Sequence, residues 1–100
     1  MADSPHADVR ITVNVVYLAR LREAFGRGDE RIALAARSDV AARSDVAALL
    51  DDLRRRGEPW SRELAPGRAY RVAVNHEVVG NDATLHDGDE IALLPPVTGG

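Results

Sequence analysis

Cysteine is absent from this 100-residue chain, and so is lysine. Without cysteine there are no disulfides, no thiolate nucleophile and no cysteine-based metal site. All 13 basic residues are arginine, so no side-chain amine is available for an isopeptide bond. Cationic excess is missing too: 16 acidic residues outweigh the arginines and leave a formal charge of −3, which gives nucleic acid no electrostatic reason to bind. No apolar run approaches the length of a membrane span, and the polar start Met1-Ala-Asp-Ser-Pro-His-Ala-Asp8 lacks a signal peptide's character. These features predict a cytoplasmic chain. One hundred residues suffice for a single core.

The residues that are present predict an α+β fold. Residues 1–8 read as a disordered leader, 9–94 as the folded domain and 95–100 as an extended tail. Val9, Ile11, Val13, Val15 and Tyr17 alternate with polar residues at the period of a half-buried strand. A short helix from Leu18 to Phe25, closed by Gly26 and Gly28, and a strand from Arg31 to Ala35 follow. The segment Ala35-Ala-Arg-Ser-Asp-Val40 is repeated at once as Ala41 to Val46. Six residues are too few for a structural repeat.

The second copy opens a helix, with Ser44 or Asp45 as cap, Val46, Leu49, Leu50 and Leu53 as its apolar stripe, and Gly57 as its end. A continuous helix through the first copy would put Val40 about 120° from that stripe. The first copy is therefore read as extra loop or a frayed turn. Pro59 to Leu64 is a single turn with Trp60 and Leu64 beneath the core, and Tyr70 to Val74 and Glu77 to Val79 are strands joined by a tight turn at Asn75-His76. His86-Asp87-Gly88-Asp89 turns into a last strand, Glu90 to Leu94. The expected architecture is a mixed sheet of four or five strands curled over one main helix, with the first and last strands side by side at its centre.

The last strand runs into Pro95-Pro-Val-Thr-Gly-Gly100. At ordinary glycine usage two terminal glycines occur by accident in roughly 0.5% of chains. The prolines end the strand by fixing φ and removing donors. Glycine, having no Cβ, can enter a channel too narrow for side chains. A terminal carboxylate is ionised at neutral pH and is a poor electrophile until a partner activates it, for instance as an acyl-adenylate. Nothing in the chain resembles a nucleotide-binding loop, so that activation falls to a partner.

Strand parity adds a second feature. With Val13, Val15, Tyr17, Ile91 and Leu93 pointing inward, Val16, Leu18 and Leu94 point outward near the root of the tail. They form a candidate docking patch. Other constellations are weaker. His6, His76 and His86 are far apart and lack metal-ligand spacing, Asp87 and Asp89 flank a turn glycine, and Asp51, Asp52 and Arg54 to Arg56 read as solvated helix positions. No metal site is expected.

Val74-Asn75, Leu85-His-Asp-Gly-Asp-Glu-Ile91, Leu94-Pro-Pro-Val-Thr-Gly-Gly100 and Val16-Tyr-Leu-Ala-Arg-Leu-Arg-Glu23 together resemble the small-subunit family of molybdopterin synthase, which are ubiquitin-like β-grasp sulfur carriers. Trp60 sits where that family often has an aromatic. The resemblance covers residues 9–100 and is most specific in the last sixteen. It implies a β-grasp fold and a chain that is not an enzyme by itself but the sulfur-donating subunit of a sulfurtransferase complex.

In that reading an activating enzyme uses ATP to adenylate Gly100, and a sulfur donor converts it to a thiocarboxylate. Pro95, Pro96, Val97, Thr98 and Gly99 enter the large synthase subunit in a heterotetramer, and a pterin precursor receives the sulfur. No cofactor is bound by the chain itself. The family's docking contacts map onto Leu18 and Leu94, where relatives often carry aromatics. The Ala35 to Val46 duplication departs from the family pattern. Carriers for thiamine, cysteine or transfer-RNA thiolation, a ubiquitin-like protein modifier, and a binding domain with an accidental tail are the alternatives.

Overall fold

The computed structural model describes residues 9–36 and 43–95. The leader 1–8, most of the first hexapeptide copy including Val40, and residues 96–100 lie outside the described residues. The elements run β1 (Arg10–Tyr17), α1 (Ala19–Phe25), β2 (Asp29–Ala35), β3 (Arg43–Asp45), α2 (Val46–Arg54), α3 (Trp60–Glu63), β4 (Arg71–Val74), β5 (Glu77–Val79), β6 (Thr84–His86) and β7 (Glu90–Leu94).

Five strands form one mixed sheet in the order β2-β1-β7-β4-β5, and β3 pairs with β6 in a separate two-stranded sheet. The first and last strands of the main sheet are central neighbours, as the expected architecture has them, and they run parallel. Each is antiparallel to its outer neighbour. β7 therefore has a partner on both sides. The β4–β5 hairpin turns at Asn75 and His76, both with positive φ (49° and 75°), as a tight hairpin that matches the twist of its strands requires.

Alternation in β1 buries Ile11, Val13, Val15 and Tyr17 on one face, where they meet Ile91 and Leu93 of β7 and the α2 stripe of Val46, Leu49, Leu50 and Leu53. Each such side chain contributes about 1.5–3 kcal/mol on burial. Asp45 is the cap of α2: its Oδ1 accepts from the Ala48 N–H at 2.8 Å. The helix ends at Arg54, three residues before Gly57. Arg55 and Arg56 thus fall in the turn that follows. Trp60 stacks on Phe25 with centroids 3.8 Å apart, and Tyr17 meets both rings edge-on.

Three details differ from the expected element order. Arg43–Asp45, read as loop and cap, is also a strand. Its partner β6 overlaps the expected turn only at His86, its Thr84 and Leu85 falling in no expected element, and it buries Leu85. β2 begins two residues early at Asp29, because Asp29 and Glu30 pair with Val16 and Val15 in the β1–β2 ladder.

Candidate functional site

The site is built around the end of β7. Ile91 and Leu93 are fully buried, so Ala92 and Leu94 point to the opposite, outer face of the sheet. The strand stops at Leu94, and Pro95, which has no N–H to continue the ladder, follows outside it. On β1 the same parity buries Val15 and Tyr17 and turns Val16 outward. The Leu18 N–H donates to the Leu93 carbonyl at 3.1 Å, which carries the β1–β7 ladder one residue past the strand and sets Leu18 beside the tail root.

Ala19 follows with φ = 52°, a left-handed conformation that L-residues adopt at a cost. That residue turns the chain abruptly into α1 and leaves Leu18 standing 41% exposed. Val16, Leu18 and Leu94 are therefore brought together on one face.

Register extends this patch across the sheet. Val16 pairs with Ala92, Ala92 with Ala73, and Ala73 with Val78, so one row of small and apolar side chains crosses four strands. Val78, at 56% exposure, and Leu18 are the large hydrophobic residues left exposed among the described residues, and both lie on this face. Val78 was not singled out by sequence reasoning, because two adjacent valines in a three-residue strand do not declare which points inward. The inward packing of Val79 settles it. Arg71 pairs with Leu94 in register and is exposed at the edge of the patch.

Beneath the tail root the backbone is anchored by a charged network. The Tyr17 hydroxyl donates to Glu30 Oε2 at 2.6 Å, and Glu30 also accepts two hydrogen bonds from Arg56 (2.8 and 3.0 Å) and one from Arg27 (2.9 Å). Burial works to raise the Glu30 carboxyl's pKa, but the bonds from Arg56 and Tyr17 and the two guanidinium charges outweigh it and hold the pKa below the usual carboxylate range. Burial, reinforced by the Glu30 carboxylate, pushes the Tyr17 phenol well above its ordinary range, so it stays a donor. Arg56 also lies over Trp60, 4.5 Å from the ring centroid. Strand, helix and aromatic cluster are thereby tied at the residue preceding Leu18.

The remaining candidates have structural partners. Asp87 Oδ1 accepts from the Thr12 N–H at 2.7 Å, and Asp89 accepts from the His86 N–H at 2.9 Å and from Asn75 Nδ2 at 3.0 Å, which is turn chemistry. His76 Nε2 lies 3.5 Å from Glu90 on the surface. Asp51 and Asp52 pair with Arg54 and Arg55, one turn on. No group of three His, Cys, Asp or Glu residues is arranged to hold a metal among the described residues. Among those residues, too, no helix is long and apolar enough to cross a membrane.

Comparison with known proteins gives the family and the fold. The profile of the ThiS family aligns with residues 15–100. The molybdopterin synthase sulfur carrier subunit of Escherichia coli is 34% identical over 88 residues, covering 88% of this chain and 99% of that protein. Its counterpart in Haemophilus influenzae is 33% identical with the same coverage. In three dimensions the chain is similar to the crystal structure of SAMP1 from Haloferax volcanii, with a TM-score of 0.64, 28% identity and coverage of 89% of this chain and 99% of that one. A ubiquitin-like β-grasp sheet whose central strand leads into Pro-Pro-Val-Thr-Gly-Gly, matched over 86 of 100 positions by one profile, places the assignment beyond composition alone: the chain belongs to the ThiS family.

Proposed function

We propose that this protein is the sulfur carrier of a molybdopterin synthase and donates sulfur from the carboxyl end of Gly100. The observation that carries this reading is the run of the central strand β7 into the Gly-Gly segment, beside an outward apolar patch at its root. The names of the relatives in Escherichia coli and Haemophilus influenzae support it.

The chemistry follows from the inertness of a carboxylate. A Gly100 carboxylate oxygen attacks the α-phosphorus of ATP on an activating enzyme, pyrophosphate leaves, and an acyl-adenylate forms. Sulfur at the oxidation level of sulfide, supplied by a donor, then attacks the carbonyl carbon and AMP leaves, which gives the thiocarboxylate. Its sulfur attacks an electrophilic carbon of the pterin precursor inside the large subunit and displaces an oxygen substituent from that carbon, so that a C–S bond replaces a C–O bond and the oxygen leaves with a proton. Water cleaves the remaining acyl–sulfur bond and restores the carboxylate for another cycle.

In this reading the acid–base chemistry of these steps belongs to the partner enzymes. The chain contributes a tail, Pro95 to Gly100, that is narrow at its tip, and a docking face of Val16, Leu18 and Leu94. The complex is proposed as a cytoplasmic heterotetramer, with two carriers on two large subunits.

Intact-mass spectrometry of the protein made with its activating enzyme, ATP and a sulfur source tests the reading. The expected result is the gain of one sulfur in place of one oxygen, lost again on deletion of Gly100. A mass that never changes under those conditions rules the reading out.

The similarity to SAMP1, described as a small archaeal modifier protein, favours a second reading in which Gly100 is joined to amines of other proteins. A covalent adduct that survives thiol treatment and denaturation would mark that reading. The chain has no lysine of its own to serve as acceptor.

A further inference from the structure

At the β5 edge of the sheet, between the end of α2 and the start of β4, lies an open cleft of about 450 Å³ lined from the helix side by Arg54, Tyr70, Val72 and Val79 and from the outer side by Arg71 and Val78, with Arg68 and Asn81 also in its walls. No carboxylate lines it, although the chain as a whole carries more acid than base. Two of its three guanidiniums are occupied. Arg54 donates to the Leu64 carbonyl at 2.7 Å and reaches Asp51 and the Tyr70 hydroxyl. Arg68 reaches Glu63 at 3.4 Å. The Arg71 guanidinium has no hydrogen bond or ion pair with any described residue.

The position of Arg71 decides its use. It is opposite Leu94 in the β4–β7 register, two residues along β4 from Ala73 and so on the same face as the Ala92–Ala73–Val78 row. A protein surface that covers Leu94 and Val78 also removes water from Arg71. Leaving a guanidinium desolvated and unpaired is costly, and the planar fork is matched best by a carboxylate held bidentately. Water-filled, the cleft costs the free protein nothing. The cost arises only on docking, so the acceptor has to come from the partner.

We propose that Arg71, with the cleft behind it, binds an aspartate or glutamate side chain of the large synthase subunit, and that this ion pair fixes how the carrier sits while its tail enters that subunit. The pair lies at the rim of an apolar contact, where charge governs the rate of encounter and rejects surfaces that lack the complementary acid. This inference rests on the sulfur-carrier reading and assigns Arg71 as a specificity-determining residue within it.

The test measures association and dissociation of the full-length carrier with the purified large subunit of the same organism at low and moderate salt. It compares wild type, R71Q, R71E and the control R55E. Arg55 is 74% exposed on the helix side and pairs with Asp52, so R55E makes the same charge change away from the face. R71Q is expected to weaken binding about tenfold and R71E about a hundredfold, chiefly through slower association, with R55E within about twofold of wild type. The salt dependence of association should flatten in R71Q.

R71E binding within twofold of wild type overturns the inference, as does an equal loss in R55E, which would report net charge alone. A defect confined to adenylation by the activating enzyme overturns it as well. If wild type itself fails to bind the large subunit, the sulfur-carrier reading falls and takes this one with it. Should R71E fold poorly by circular dichroism, the neutral R71Q decides the matter.

Discussion

Replacing Glu30 by glutamine removes one charge from the network that anchors the last residue of β1, and the structure sets the size and pH dependence of the effect. Glu30 is only 12% exposed, whereas its partners Arg56 and Arg27 are 33% and 50% exposed. The full loss for a buried pair broken on one side, about 3–5 kcal/mol, is therefore too large here, because both guanidiniums can be hydrated again. The amide oxygen can still accept from Tyr17, but its NH₂ group faces donors.

A loss of about 2 kcal/mol at neutral pH is expected, which lowers the melting temperature of a domain of this size by roughly 8–16 °C. Glu30's pKa is depressed in the folded state, so its contribution is complete above the unfolded carboxylate value and is lost as pH falls through the folded one. The gap between wild type and E30Q should be constant above about pH 5 and should close in more acidic buffer. Thermal melts by circular dichroism from pH 7 down to pH 2 measure both features. A gap below 2 °C at pH 7, or one that persists unchanged at the acid end, would refute the assignment of the carboxylate as the anchor.

Two further substitutions probe the docking face. Leu94→Glu places a charge on an outward, partly exposed position, so folding should be nearly unchanged while affinity for the large subunit drops by about a hundredfold or more when the carboxylate is desolvated; titration calorimetry reads the second and a thermal melt the first. Ala19→Gly relieves a left-handed alanine and should stabilise the fold by about 0.5–1 kcal/mol, net of glycine's greater chain entropy. A lower melting temperature in that variant would contradict the geometry given for the β1–α1 junction.

Much of this arrangement is readable in the residues. The period-two alternation of β1 and the apolar residues of β7 specify which side chains face outward, and the structure places Val16, Leu18 and Leu94 there. Asp45 before the α2 stripe is a local signal, because a cap is completed within four residues. β3 and β6 were hidden for the opposite reason. Each is three residues long, with Leu85 the only fully buried side chain in the pair, and one apolar residue has no period.

Glu30 illustrates a further limit. An acidic residue at a strand's start reads as solvated, and its burial depends on Arg56, 26 positions away. Arg71 is similar, since its proposed role rests on a guanidinium without a partner among the described residues that lies between Leu94 and the cleft, a relation that only the sheet order creates.

The sheet order also explains why docking and transfer belong on the same strand. The five residues after Pro95 span at most about 18 Å when fully extended. An acceptor for Gly100 must therefore lie within that radius of the end of β7, and a partner gripping the helix side of the sheet would have to supply its acceptor around the sheet's edge. β7 is hydrogen-bonded on both flanks, and its inward residues are fully buried, so the tail starts from a point that does not fray with an edge strand. In the proposed mechanism, docking through Leu18, Leu94 and Arg71 at that point would turn tail entry into an intramolecular event at high effective concentration. The tail's own contacts can then be weak, which a tip of glycines requires, and a charge reversal or a buried carboxylate on the outer face is expected to slow transfer even when Gly100 carries its sulfur.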